Sequence, residues 1–119
     1  MTTHAHQTGA AAEALALEYL EGEGLKLRAR NFRIRRGEID LIMEDRGEIV
    51  FVEVRARHLS GFGDGIDSIT AAKRRRLIAT AKAWLQRQRS EPPTRFDVIA
   101  VTPDTGRVEW IRDAFHADE

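Results

Sequence analysis

The chain has 119 residues, a length that suits one domain with its own hydrophobic core. It has no cysteine, which excludes a disulfide framework, a thiolate zinc site and a cysteine nucleophile, and which fits a reducing compartment, so a cytoplasmic location is expected. The formal net charge is zero but lies in blocks: residues 25–36 carry six basic and no acidic side chains, residues 73–90 carry seven and none, and every other segment is net acidic.

Blocks of this kind either bind polyanions or form solvated faces. No apolar run approaches the ~20 residues of a membrane helix, so no membrane association is expected. The start, MTTHAHQTG, has neither the basic region nor the apolar stretch of a signal peptide. Residues 1–8 read as a flexible N-terminus, 9–116 as a single domain and 117–119 as a tail. His4 and His6 could chelate a metal, but a disordered end is the simpler reading.

Residues 9–23 (GAAAEALALEYLEGE) are rich in helix formers, with Thr8 as a candidate cap and Gly22 or Gly24 as the stop. Leu25 to Phe32 alternates apolar with basic residues and reads as a half-buried strand with a basic outer face. Glu38–Glu44 and Glu48–Arg57 read as strands around an Asp45-Arg46-Gly47 turn. HLSGFGDGIDS, with its three glycines, reads as a loop. It lacks the P-loop lysine pattern, and with Phe62 it could serve as a flap over a nucleic-acid strand. Thr70–Gln88 reads as a second helix, ended by SEPPT. RFDVIAVT and RVEWI complete a five-stranded count.

The order α-β-β-β-α-β-β predicts an α/β fold: a mixed sheet flanked by helices, with an antiparallel meander first and a right-handed crossover to a parallel fourth strand.

Carboxylates interrupt this apolar pattern. In GEIDLIM, alternation puts Ile39, Leu41 and Met43 on one face and Glu38, Asp40 and Ile42 on the other. In IVFVEVRAR, Ile49, Phe51, Glu53 and Arg55 share a face. Asp40 and Glu53 would thus lie close together on adjacent strands. Buried carboxylates are unfavourable unless paired or bound to metal, and a divalent cation could hold both. Glu13 falls on the apolar stripe of the first helix and is a candidate third acidic ligand or organiser of water. Arg55 could neutralise charge on a phosphate but is a poor general base.

Taken singly, each residue has a plainer reading. Asp40 could be a strand-end acceptor, Glu53 a partner of Arg55 or Arg57, and Glu13 a surface residue. Glu38 reads best as a turn residue, and Asp97 as an ion-pair partner of Arg95 or a helix arginine. His58 reads as an exposed histidine beside the loop. Trp84 and Trp110 read as core residues rather than base-stacking platforms.

The combination resembles a known pattern. Gly9 with AAAEALA around Glu13, ARNFR at 29–33, GEIDLI at 37–42, VFVEVRAR at 50–57, Lys73, AKAWL at 81–85 and RFDVIAV at 95–101 resemble the PD-(D/E)XK nuclease superfamily. More narrowly they resemble the YraN family of predicted endonucleases, distantly similar to archaeal Holliday junction resolvases. The resemblance spans roughly residues 9–115 and implies a restriction-endonuclease-like core.

It further implies that Asp40, Glu53, the carbonyl of Val54 and Glu13 bind Mg2+ (or Mn2+), and that Glu13, Asp40, Glu53 and Arg55 form the catalytic set. The implied reaction is metal-assisted hydrolysis of DNA phosphodiester bonds, in branched or damaged DNA and hence in repair. The superfamily's usual lysine is replaced by Arg55, as also occurs within the YraN family. That departure keeps a second reading open: a catalytically weak or inactive nucleic-acid-binding module on a nuclease fold. Lys73 could supply the missing ammonium from the neighbouring helix. Arg28, Arg30, Arg33, Arg57, Lys73, Arg74, Arg75 and Arg76 are the candidate DNA contacts, and a homodimer is implied by the behaviour of junction resolvases.

Overall fold

The structure is a computed structural model that describes residues 4–57 and 69–117, with side chains from residue 9 onward. Its elements are α1 (His4–Gly22), β1 (Lys26–Ile34), β2 (Gly37–Asp45), β3 (Glu48–Ala56), α2 (Ala71–Leu85), β4 (Thr94–Thr102) and β5 (Arg107–Phe115). The strands form one mixed sheet in the order β1-β2-β3-β4-β5. Every neighbouring pair is antiparallel except β3 and β4, which are parallel across the α2 crossover. The α/β fold and element order expected from the sequence are therefore observed.

Among the described residues, each face of the sheet carries one helix. Ala12, Ala16 and Leu20 of α1 pack with Leu41, Met43, Val50, Val52, Ile99 and Val101. Leu77, Ile78, Ala81 and Trp84 of α2 pack with Ile39, Ile42, Ile49, Phe51 and Phe96 on the opposite face. Two-sided burial explains why β2, β3 and β4 read as nearly continuous apolar runs. Trp84 is buried edge-on to Phe51, as its core reading predicts.

Local signals account for the element ends. At the end of α1, Gly24 has φ +96°, and the Leu25 and Gly24 N–H groups donate to the carbonyls of Leu20 and Glu21. This is a Schellman closure, and it buries Leu25 against Leu20. Thr70 Oγ1 accepts from the Lys73 N–H to cap α2. Arg46 and Gly47 both have positive φ, the type I′ geometry of a two-residue hairpin, one residue tighter than expected.

Three expectations are corrected. The first helix begins at His4, so residues 4–8 are helical and Thr8 lies inside α1 rather than at its start; an alanine-rich helix propagates outward once nucleated. Arg28, Arg30 and their neighbours do not form one basic face. The β1–β2 register slips between Leu27 and Ala29, which sends Arg28 over the Trp84 ring on the α2 side while Arg30 reaches Glu13 on the α1 side. Glu38 is part of β2 rather than a turn residue, and accepts from Arg33 at 2.8 Å. The side chains of His4 and His6, together with His58, Phe62 and the glycine loop to residue 68, lie outside the described residues. No helix among the described residues is long and apolar enough to cross a membrane.

Candidate functional site

The ladder between β2 and β3 runs from Asp45↔Glu48 to Leu41↔Val52. Beyond it, the Val54 N–H donates to Asp40 Oδ2 at 2.8 Å, so a side chain takes the place of a backbone acceptor. On the other edge of β2, Arg30↔Leu41 and Phe32↔Ile39 are paired while Asn31, with φ +52°, intervenes. Left-handed backbone at Asn31 turns the chain opposite Asp40. The strict alternation expected for β2 breaks here: Ile39 joins Ile42 in the α2-side cluster instead of sharing a face with Leu41 and Met43.

At this break Asp40 stands within hydrogen-bonding reach of Glu53. The Asp40 carboxyl is pushed up from 3.8 to about 8 by burial, then by the charge and hydrogen bond of Glu53. The Val54 N–H opposes the shift and the charge of Glu38 adds to it. Glu53 is itself buried, and Lys73 Nζ lies 3.4 Å from its Oε2, reaching across from α2. The pair that the sequence places together is therefore together, and the Lys73 ammonium lies against its Glu53 member.

Glu13 is placed differently. Its Oε1 accepts from Asn31 Nδ2 at 3.0 Å and from an Arg30 guanidinium N–H at 3.3 Å. It faces the sheet, as its helical position predicts, but among the described residues no three carboxylates or imidazoles converge as a metal-binding group. The three-acid cluster expected of Glu13, Asp40 and Glu53 is not assembled, because Glu13 is turned to the polar side chains of β1.

Two clefts meet at Asp40. The one on the α1 side, about 680 Å³, is bordered by Glu13, Arg30, Asn31, Arg33, Glu38 and Val54. The one on the α2 side, about 290 Å³, is bordered by Gly37, Glu38, Glu53, Lys73 and Arg76. The remaining candidates scatter. Arg28 bonds Glu44, and Arg33 bonds Glu38. Arg57 bonds Glu109 of β5, and Arg74 donates to the Ile69 carbonyl. Arg75 and Arg76 are exposed on α2. Arg55 is half-buried on β3, opposite Ala100.

Asp97 behaves as its sequence reading predicts. It is fully buried and accepts from Arg95, from Trp110 Nε1 and from the Asp113 N–H. Its cluster, with Asp45 and Glu48 also on Arg95, is a structural anchor.

Asn31 and Arg36 are the residues that sequence reasoning passed over. Asn31 borders the larger cleft, fixes Glu13 and carries the left-handed kink. Its signal was available: asparagine is depleted in strand interiors and enriched at positive φ.

Sequence relatives match this architecture over nearly its whole length. The profile described as "Uncharacterised protein family UPF0102" covers residues 12–101. A UPF0102 protein of Nitrosococcus oceani is 52% identical over 114 residues, covering 92% of each chain. One of Halorhodospira halophila is 52% identical over 112 residues, covering 94% of this chain and 89% of the relative. One of Ralstonia pickettii is 52% identical over 116 residues, covering 93% and 91%. With β2, β3, α2 and residues 12–22 of α1 inside that match, the chain belongs to the UPF0102 family, the YraN family of the sequence resemblance.

Proposed function

We propose that the protein is a metal-dependent endonuclease that hydrolyses DNA phosphodiester bonds from a restriction-endonuclease-like core. The observation that carries the reading is the apposed Asp40–Glu53 pair at the break between β2 and β3, where the two clefts meet. Structural ion pairs are normally built from opposite charges. Two apposed carboxyl groups, Glu53 buried and Asp40 half-buried, with Lys73 beside Glu53, form a hard-oxygen donor set suited to Mg2+ or Mn2+. In extended backbone a residue's N–H and C=O face the same edge, so the Val54 carbonyl faces the Asp40 side with its N–H and can complete the set.

Such an ion supplies Lewis-acid polarisation of a phosphodiester. This chain's residues do the rest. The Val54 N–H fixes the Asp40 carboxylate. Lys73 holds Glu53 and would supply from α2 the ammonium that the superfamily carries on a strand lysine, where this chain has Arg55. Arg55 offers a permanent positive charge to a phosphate. Glu13 holds Arg30 and Asn31 on the wall of the larger cleft and lies outside the ligand set.

The test is cleavage of branched, flapped and linear DNA with Mg2+ or Mn2+. Wild-type protein should cut, and Asp40→Ala and Glu53→Ala should lose at least about a hundredfold, the scale of removing a catalytic group. No cutting by wild type, or equal cutting by the variants, would sink the reading. The second reading, a binding module with reduced catalysis, is favoured by Arg55 itself. It predicts DNA binding without turnover, and cleavage gained by Arg55→Lys would show an otherwise intact site.

A further inference from the structure

Arg36, Arg75 and Arg76 border a depression of about 400 Å³ whose other lining residues are Ala72 and Ala79. Arg36 comes from the β1–β2 turn, and Arg75 and Arg76 from the first half of α2. The three are exposed, and among the described residues none has a carboxylate partner. Apart from Arg74, which donates to the Ile69 carbonyl, the other candidate DNA contacts differ. Arg28 is paired with Glu44, Arg30 with Glu13, Arg33 with Glu38, Arg57 with Glu109 and Lys73 with Glu53. Three guanidiniums without a carboxylate partner among the described residues thus line one depression.

That place adjoins the carboxylate pair. Arg76 borders both the arginine depression and the smaller cleft that holds Asp40, Glu53 and Lys73. Gly37 keeps the two close: a Cβ there would stand 3.0 Å from Thr80 Oγ1 and 3.5 Å from Arg76 Cβ, so glycine lets α2 lie tight against the turn that carries Arg36. Ala72 and Ala79 add only methyl groups to the lining, and the depression is large enough to admit a phosphate. Guanidinium forks match phosphate oxygens in pairs.

We infer that Arg36, Arg75 and Arg76 form a cradle for the DNA phosphodiester backbone, which leads the strand along α2 to Asp40 and Glu53 from the α2 side of the sheet. The inference rests on the proposed nuclease reading for its destination, but the cradle's binding is independent of catalysis. It assigns the strongest DNA contact to a residue of the β1–β2 turn and to α2, and assigns little to β1, whose arginines are already neutralised by carboxylates.

The test measures binding of the full chain to a labelled DNA duplex by fluorescence anisotropy in EDTA across a salt series. An RNA duplex of the same sequence is measured alongside. The triple variant Arg36→Gln, Arg75→Gln, Arg76→Gln should bind DNA at least about tenfold more weakly. Its slope of log affinity against log salt should become shallower by roughly 2–3, about one for each phosphate that is no longer neutralised. Arg28→Gln with Arg33→Gln should weaken binding by less than about threefold. Equal or greater weakening in that double variant, or none in the triple, would overturn the cradle. Tighter binding of RNA than DNA with the same arginine dependence would overturn the assignment to DNA.

If the triple variant melts early, Arg75→Gln alone carries the test, with a slope shallower by about one. Cradle-dependent binding without any metal-dependent cleavage would sink the nuclease reading and leave the cradle standing. Asp40-dependent cleavage with binding indifferent to the three arginines would do the reverse.

Discussion

The backbone N–H of Val54 donates to Asp40 Oδ2 across 2.8 Å, so that β2 satisfies β3 with a side chain where their ladder has ended. The bond favours the ionised carboxylate, yet burial and Glu53 outweigh it and Asp40 is pushed up to about 8. A folded-state pKa above the unfolded value means that the folded protein keeps a proton the unfolded chain has released. The stabilisation is full below about pH 4 and is lost as pH rises towards about 8. Asn at this position cannot ionise but still offers an oxygen to Val54. Asp40→Asn should therefore exceed wild type in stability at pH 8 by at least about 2 kcal/mol, with the gap closing towards pH 4. Urea denaturation in EDTA at pH 4, 6 and 8 measures it, and parallel stability curves would count against the buried pair.

Lys73 bears on the same balance from α2. With Nζ 3.4 Å from Glu53 Oε2 and the side chain one-third exposed, its contribution is discounted by solvent. Lys73→Met should lower stability at pH 8 by about 1 kcal/mol. If Asp40 and Glu53 bind a cation, millimolar Mg2+ or Mn2+ should stabilise this variant more than it stabilises wild type, because the ion replaces the missing charge. Thermal melts with and without metal decide this, and a variant insensitive to both ions would speak against a metal between the carboxyl groups.

Gly37 tests how closely α2 must sit on the sheet. A Cβ would press on Thr80 Oγ1 at 3.0 Å, and that hydroxyl is held by donating to the Arg76 carbonyl at 2.7 Å. Gly37→Ala should lower stability by about 1–2 kcal/mol, a typical overpacking effect. Thr80→Ala removes the obstructing oxygen, so in the double variant the two effects should be less than additive. Strict additivity in denaturation experiments would show that the turn and the helix do not press on one another.

The elements of this fold were legible because two-sided burial imposes simple patterns: apolar runs for the central strands and a 3.6-residue stripe on α2. The Asp40–Glu53 contact was legible for a related reason, since charged residues inside such runs stand out. Asp97 with Arg95 followed from the same logic. What escaped the sequence was register. The slip at Arg28 and the left-handed residue at Asn31 depend on how β1 meets β2, and they decide which face each arginine reaches. Glu13's partners follow from those irregularities, so its bonds to Arg30 and Asn31 could not be read from a helical wheel. The arginine cradle likewise joins a turn to a helix far along the chain, a juxtaposition that only packing creates.

Asn31 separates backbone from side-chain roles at the kink. Its φ of +52° suits glycine as well as asparagine, whereas its Nδ2 bond to Glu13 needs the amide. Asn31→Gly should keep the kink and release Glu13, with a stability change of less than about 1 kcal/mol. Asn31→Ala should break the bond and also strain the left-handed backbone, for a total of about 2 kcal/mol. Denaturant titration should order the three proteins as wild type, Gly, Ala. If Glu13 matters to the proposed chemistry through its hold on the cleft wall, both variants should slow DNA cleavage equally once corrected for the folded fraction. A decline that instead tracked stability would mean that Asn31 serves the fold alone.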